Sequence, residues 1–537
     1  MKKREESFPI TKEIVDDFIK INSKQWSEIL PNGKYIYINL SMVRMQAAWV
    51  IPKLLYAKGI QEKTGAVPVA ITWSNNELLT RFFDSFGIKH ISLDDLCYKH
   101  PFLGLKSFFK SFFSLYAHKD SKYIKEIKIK DLDIGYSLYE DILRTSSLST
   151  LKTSRNKIAF KKTFHILWVV YCLQNFIKKN PLQYAVMDDL AYHEEMLVRL
   201  FLKSGAKVVA CEHESETFIQ LREDGTVKRR PQMANEKLHP MGNGLISASD
   251  LEIAMEWTNN YLNERFQGKN GRAIDRGAFA GKKILNKEEM HDLIGSDREK
   301  KTVVIMAHTF TDAIYNYGFY YFRDYYDWLE NTLKIACEVD NVNWILKPHP
   351  TRKSYNESTD SIEDMFEHYH KENMYILSDD VSSESIKNIA DVIVTIGGNA
   401  GAEYACFGIP SIIVGRPYYA GFGYTYEPKT YEEYQNLLTN VRNIEHLSED
   451  QTNKAKYVFY LQNHPSENEL LFKDDFARMI QKQYNQMFDE IALSYFKDNS
   501  ETKTYNDDIL KNITEYYQSH NMKEVEYFKR GYQFADN

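Results

Sequence analysis

No two cysteines of the chain stand close enough to form a CxxC pair. Cys97, Cys172, Cys211, Cys337 and Cys406 are scattered over 537 residues. That argues against a zinc ribbon and a disulfide framework, and it suits a reducing cytoplasm. Excess positive charge is also missing. The formal net charge is −6, which speaks against general nucleic-acid binding. The opening MKKREESFPITKE lacks the apolar core of a secretory signal. The longest apolar run, FHILWVVYCLQNF (164–176), is too short to cross a bilayer and carries polar residues. No cluster of metal-ligating side chains is evident, so neither a metal nor a cofactor is expected.

What is present fits a globular protein too long for one core. Tyrosine (37) and phenylalanine (30) are abundant. Such residues build cores and also suit sugar-binding surfaces. Strand–helix alternation begins with KYIYINLS (34–41), a helix over 42–59, AVPVAITW (66–73), a helix over 75–87 and IKHISLDD (88–95). The rhythm resumes at YAVMDD (184–189), AYHEEMLVRLFLKSG (191–205) and AKVVACEHESE (206–216). Alternation with short connections predicts a parallel α/β sheet. Between the two stretches lies a helical insertion, about 100–180. There Phe102, Leu105, Phe109, Phe112 and Tyr116 fall at helical spacing, with Lys106 and Lys110 off the stripe. The stripe is expected to pack into the core. A Phe-rich helix beside basic residues is also suited to an anionic membrane surface.

The second half repeats the theme. Strands are predicted over 301–310, 342–350, 374–380, 391–398 and 409–415. The Gly- and charge-rich 267–283 is read as the domain boundary. The expected organisation is an N-terminal Rossmann-like acceptor domain (1–266), a C-terminal Rossmann-like nucleotide-sugar domain (284–455) and a helical tail (456–537). Two such domains suggest a ligand cleft. In open parallel sheets ligands bind beyond the C-terminal strand ends, so the residues just after strands carry the functional reading.

His308, Thr309 and Asp312 follow the first strand of the second half. Lys347-Pro348-His349-Pro350 follows the next. Each proline fixes its own φ and restricts its predecessor, holding His349 in a narrow geometry. In TIGGNAGAEYACFG (395–408), Gly397, Gly398, Asn399, Ala400 and Gly401 make a small-residue strand-to-helix turn. Backbone N–H groups there can meet a phosphate, although the segment has neither GxGxxG nor a GK[ST] ending. Glu403 stands one turn into the helix, within reach of a ribose hydroxyl. In VGRPYYAGFGYTYEP (414–428), Arg416 can pair with phosphate, and Tyr418, Tyr419 and Tyr424 can stack on a base or sugar. Ser382-Ser383 reads as a helix cap. Together these loops point to a nucleotide-sugar site.

WILKPHP, followed by TIGGNAGAEYACFGIPSIIVGRPYYAGFGYT, resembles bacterial capsule polysaccharide biosynthesis proteins. The segment is most similar to the Kdo transferases that build the lipid-linked capsule linker. The resemblance covers about residues 300–430, with Phe422 and Tyr424 where the family pattern has tryptophan and leucine. It implies a GT-B fold, two doubly wound Rossmann-like domains facing across a cleft. It implies a CMP-activated acidic sugar, CMP-Kdo first, carried to a capsule or lipopolysaccharide glycan or glycolipid acceptor. It also implies that His349 and the following helix start contact the donor phosphate. The placing of Gly397, Gly398 and Glu403 is similar also to non-hydrolysing UDP-N-acetylglucosamine 2-epimerases, so an epimerase remains an alternative, as does a non-catalytic capsule-assembly partner.

In the transferase reading His349 and Lys347 offset charge on the leaving phosphate, and a carboxylate from the first half serves as base or nucleophile. The strand-end acids are Asp188, Asp189, Glu212, Glu214 and Glu216. Glu214 and Asp188 are the ones chosen, with His213 to orient one of them. The expected partners are the nucleotide sugar and a glycan or lipid-linked acceptor. The expected location is cytoplasmic, with peripheral contact with the inner membrane.

Overall fold

The computed structural model describes residues 10–40, 47–188, 190–211, 216–219, 227–244, 246–269, 279–318, 321–350, 352, 362–464, 474–480, 482–483 and 499–536. They fall into two compact units. The first comprises residues 1–142, 152–228 and 465–537, the second 143–151 and 229–464.

In the first unit the strands are β1 (Tyr35–Asn39), β2 (Val67–Thr72), β3 (Lys89–Ser92), β4 (Lys128–Ile129), β5 (Leu132–Asp133), β6 (Leu182–Met187), β7 (Lys207–Cys211) and β8 (Glu216–Ile219). The main sheet runs β3-β2-β1-β6-β7-β8. Its first five strands are parallel, and β8 returns antiparallel along β7. The strands are continuous apolar runs because helices cover both faces of such a sheet. Two helices, Ala47–Thr64 and Glu526–Phe534, cross at glycine. A Cβ on Gly59 would lie 2.0 Å from the Phe528 carbonyl oxygen, and one on Gly531 would lie 1.9 Å from that of Tyr56. Any side chain at either position would drive the helices apart.

The second unit contains β9 (Thr302–Met306), β10 (Asn343–Lys347), β11 (Met374–Ile376), β12 (Val392–Thr395), β13 (Ser411–Ile413) and β14 (Thr425–Tyr426). They form one parallel sheet ordered β11-β10-β9-β12-β13-β14. Renumbered within the unit this is 3-2-1-4-5-6, the doubly wound Rossmann order. The order reverses between β9 and β12. In a sheet of this order the connections leave those two strands toward opposite faces, which places the ligand crevice at their C-terminal ends. The two doubly wound Rossmann-like units expected from the sequence are therefore present.

The unit boundaries differ from those expected. Residues 229–266 pack with the second unit. Helix Arg230–Gly242 was hidden in a polar stretch, and its Asn235 donates to the carbonyls of Tyr418 and Ala420. Helix Ala248–Phe266 buries Leu262 and Phe266 in the second core. The tail is divided. Helix Glu449–Asn463 stays with the second unit, while Ile509, Leu510, Ile513, Tyr517 and Phe528 join Val15 and Phe18 in the first core. A narrow apolar stripe on polar helices is enough to seal that core, but it barely moves their composition.

The helical insertion also departs from expectation. Helix Pro101–Tyr116 buries Gly104, Ser107, Ser111 and Leu115, and its phenylalanine stripe is exposed. Gly104 explains why. A Cβ there would sit 2.9 Å from the Trp168 ring of helix Lys157–Lys179, so the two helices meet through the small-residue face.

Candidate functional site

At the switch point of the second unit, the Ala307 amide donates to the Lys347 carbonyl (3.0 Å), extending the β9–β10 ladder by one step. The chain then turns, and His308 meets His349. The rings are near-parallel, with centroids 5.6 Å apart, and Tyr325 lies 4.5 Å from His308 on centroids. Burial holds the His308 pKa below its ordinary value, against the opposing pull of Asp312. His308 is thus a neutral imidazole at neutral pH, its Nδ1 donating to the Thr309 carbonyl (3.3 Å) and its Nε2 left as an acceptor. Beside it, Thr309 is buried, and its hydroxyl has no hydrogen-bond partner among the described residues. A buried hydroxyl of this kind marks a place where a ligand or water completes the bonding.

His349 is half-buried on the exit loop of β10. Arg352 anchors that loop. Its backbone amide donates to the His349 carbonyl (3.2 Å), and its guanidinium bridges Asp379 and Glu363 at 2.8 Å each. In the sequence Arg352 is marked only as a cation three residues beyond the histidine. The prolines restrict the backbone and Arg352 ties it to the segment after β11.

Several expected ligand residues have other duties. Lys347 is buried, and its ammonium donates to the Ser378 and Val381 carbonyls at 3.0 Å each. Burial, with repulsion from Lys282, lowers its pKa to about 8. It joins β10 to the β11 exit and does not present its charge to a phosphate. Glu403 is buried against Arg265, whose Nε donates to its Oε1 at 2.7 Å, so it is held away from a ribose. Tyr418, Tyr419 and Tyr424 are core residues and do not form a stacking surface. The Tyr419 hydroxyl donates to the Gly398 carbonyl (2.6 Å). A Cβ on Gly401 would lie 2.3 Å from that hydroxyl oxygen, and one on Gly397 would lie 2.9 Å from Tyr317. These glycines admit tyrosine rings at positions the sequence reading reserved for a phosphate. Gly398 is open by comparison, with only the Thr395 hydroxyl at 3.4 Å from a built Cβ. Asn399 sits exposed at the start of helix Ala400–Ala405 and makes no side-chain cap. Arg416 is exposed just after β13. Ser382 caps the turn Ser383–Ser385 by accepting from the Glu384 amide. What converges on the crevice is therefore His308, Thr309, Asp312, His349 and the Gly398–Asn399–Ala400 turn.

The strand ends of the first unit carry a polar cluster that the sequence reading largely missed. Asp188, after β6, is buried in an ion pair with Lys53 (2.5 Å). An aspartate so neutralised is poorly suited to act as a base. Glu214 and Asp189 lie outside the described residues, as do Glu212 and His213. Five residues beyond β6, Tyr192 takes a positive φ of 57°, its amide bonded to Glu140 (3.0 Å). That turn delivers His193, whose Nδ1 lies 2.8 Å from Asp141 Oδ1. Trp73, just after β2, stacks on His165 (5.1 Å) and meets His193 edge-on (5.3 Å). Asn39, the last residue of β1, donates to Glu194 (2.9 Å). The result is an aspartate-oriented histidine beside an indole at the C-terminal end of a parallel sheet. A pairing across 52 residues leaves no local signal. Only the HEE run at 193–195, just after a strand, hinted at it.

Among the described residues no group of His, Cys, Asp and Glu could hold a metal ion.

Residues 235–463 match the family model described as capsule polysaccharide biosynthesis protein. That match spans the second unit's sheet and supports the resemblance carried by KPHP and GRPYYAGFGYT. No curated protein matches the chain. Similar solved structures include KpsC of Thermosulfurimonas dismutans, described as a β-Kdo 2,7 transferase. It is 17% identical, with 54% of this chain and 80% of that one covered, at TM-score 0.32. A glycosyltransferase from Rickettsia africae is 10% identical over 86% and 99% of the two chains, at TM-score 0.24. The UDP-GlcNAc 2-epimerase of Methanocaldococcus jannaschii, in complex with UDP-GlcNAc and UDP, is 10% identical over 78% and 97%, at TM-score 0.26.

Proposed function

We propose that this chain, whose residues 235–463 match the capsule polysaccharide biosynthesis family model, transfers a sugar from a nucleotide donor to a glycan or glycolipid acceptor. The observation that carries the reading is the His308–His349 pair beside the buried Thr309 hydroxyl at the second unit's switch point. The Thr309 hydroxyl and the half-buried His349 ring can donate to the oxygens of a sugar phosphate whose charge grows as the glycosidic bond to phosphate breaks. The open turn at Gly398–Ala400 leaves backbone room at the same strand ends.

On the acceptor side His193 replaces Asp188 as the favoured base. Asp141 orients the His193 ring through Nδ1. The acceptor hydroxyl oxygen bonds to the anomeric carbon, its proton passes to a base, and the nucleotide leaves with the former glycosidic oxygen on its phosphate. The donor and acceptor are the partners of this reading. CMP-Kdo is the first donor to test, on the likeness of the KPHP and GRPYYAGFGYT segments to Kdo transferases.

A panel of CMP- and UDP-sugars, each with and without a capsule-linker glycolipid, tests the proposal. The expected result is nucleotide release that depends on the acceptor. Sugar interconversion with a UDP-sugar alone would favour the epimerase reading, and no turnover with any donor would favour an assembly partner.

A further inference from the structure

The helix Pro101–Tyr116 is amphipathic in the reverse of the usual sense. Its buried face is Gly104, Ser107, Ser111 and Leu115. Its exposed face carries Phe102, Leu105, Phe109, Phe112, Phe113 and Tyr116, with Phe102 85% and Phe113 65% exposed. Phe108 joins this face to the next helix by edge contacts with Phe160 and Phe164. Ile158, at the start of that helix, is exposed as well. A soluble surface seldom leaves so many large apolar side chains contiguous, and a patch of this kind marks a place that something else covers.

The charges around the patch say what covers it. No acidic residue occurs between Asp95 and Asp120, nor between Asp141 and Asp188. Those same stretches hold Lys106, Lys110 and Lys119, then Lys152, Arg155 and Lys157, with Lys161 and Lys162 following. Lys106 lays its ammonium over the Tyr171 ring at 4.1 Å, at the edge of the apolar face. The chain as a whole is acidic, so this is a local reversal of sign. A second copy of the same face would meet its own lysines and be repelled. An anionic lipid surface would take the phenylalanine rings into its acyl boundary and the lysines at its headgroups.

We propose that helix Pro101–Tyr116, with the start of helix Lys157–Lys179, is a docking face for an anionic lipid bilayer. The face lies on the surface of the membrane. No helix among the described residues is long and apolar enough to cross one. The inference stands on this helix and its charges, whatever the reaction catalysed.

The test is flotation of the full chain with phosphatidylcholine vesicles, with and without phosphatidylglycerol. Binding is expected with the anionic vesicles, weakening as salt rises. Phe102→Ser/Phe109→Ser/Phe113→Ser should lower partitioning by about tenfold or more, because three rings no longer enter the interface. Its unfolding transition should not change, since those side chains are exposed. Lys110→Glu/Lys161→Glu should weaken binding to anionic vesicles alone. Two results would overturn the proposal: vesicle binding that the phenylalanine variant leaves intact, or a phenylalanine-dependent dimer with no binding to vesicles.

Discussion

His193→Ala is expected to lower the rate of sugar transfer by roughly a hundredfold to ten-thousandfold, the range for loss of a positioned base. The expectation rests on geometry. Asp141 holds Nδ1 at 2.8 Å, and the Tyr192 turn that presents the ring is pinned by Glu140. Asp141→Asn tests the orienting role separately. It keeps the shape of the side chain but removes the charge that stabilises the protonated ring, so kcat should fall while KM for the donor stays near its original value. If His193 were only a core residue, His193→Gln would change the unfolding midpoint and leave the rate of the folded protein unaltered. The account expects the opposite, loss of rate in protein that remains folded. Asp188→Asn serves as a contrast. Lys53 loses its partner in a buried site, and the main effect falls on stability.

Glu403→Ala is expected to destabilise the second unit by about 3–5 kcal/mol, the usual cost of removing one member of a buried ion pair. Arg265 would be left as a buried guanidinium without its carboxylate. The pair ties helix Ala248–Phe266 to helix Ala400–Ala405, and thereby to the turn beside the crevice. Denaturant unfolding of the second unit reads this directly. A ribose-binding glutamate would behave otherwise, since its loss would weaken nucleotide binding and leave the unfolding midpoint in place.

The strands of both sheets were legible because parallel strands buried on both faces are continuous apolar runs. VVI in β9, WIL in β10 and VIV in β12 could be located from composition alone. So could the loops after them, and hence His308 and His349. Side-chain commitments were not legible. Tyr418 and Tyr419 stand in a glycine-rich loop and read as exposed, yet that loop folds back so that its rings fill the core against Gly401. Glu403 and Lys347 read as ligand groups because their partners, Arg265 and the carbonyls of Ser378 and Val381, are far away in sequence. The phenylalanine helix shows a different limit. Periodicity locates a stripe but does not say which side packs, and here a glycine facing Trp168 decided it. His193 stayed hidden because Asp141 and Trp73 reach it from separate elements.

The most direct measurement is calorimetric binding of CMP and UDP to the full chain and to His349→Ala. The account predicts that one of the two nucleotides binds and that the variant weakens it by about tenfold or more, the worth of a hydrogen bond to a charged group. The unfolding transition should be unchanged. Equal affinity in the two proteins, or no binding of either nucleotide to the parent chain, would contradict it.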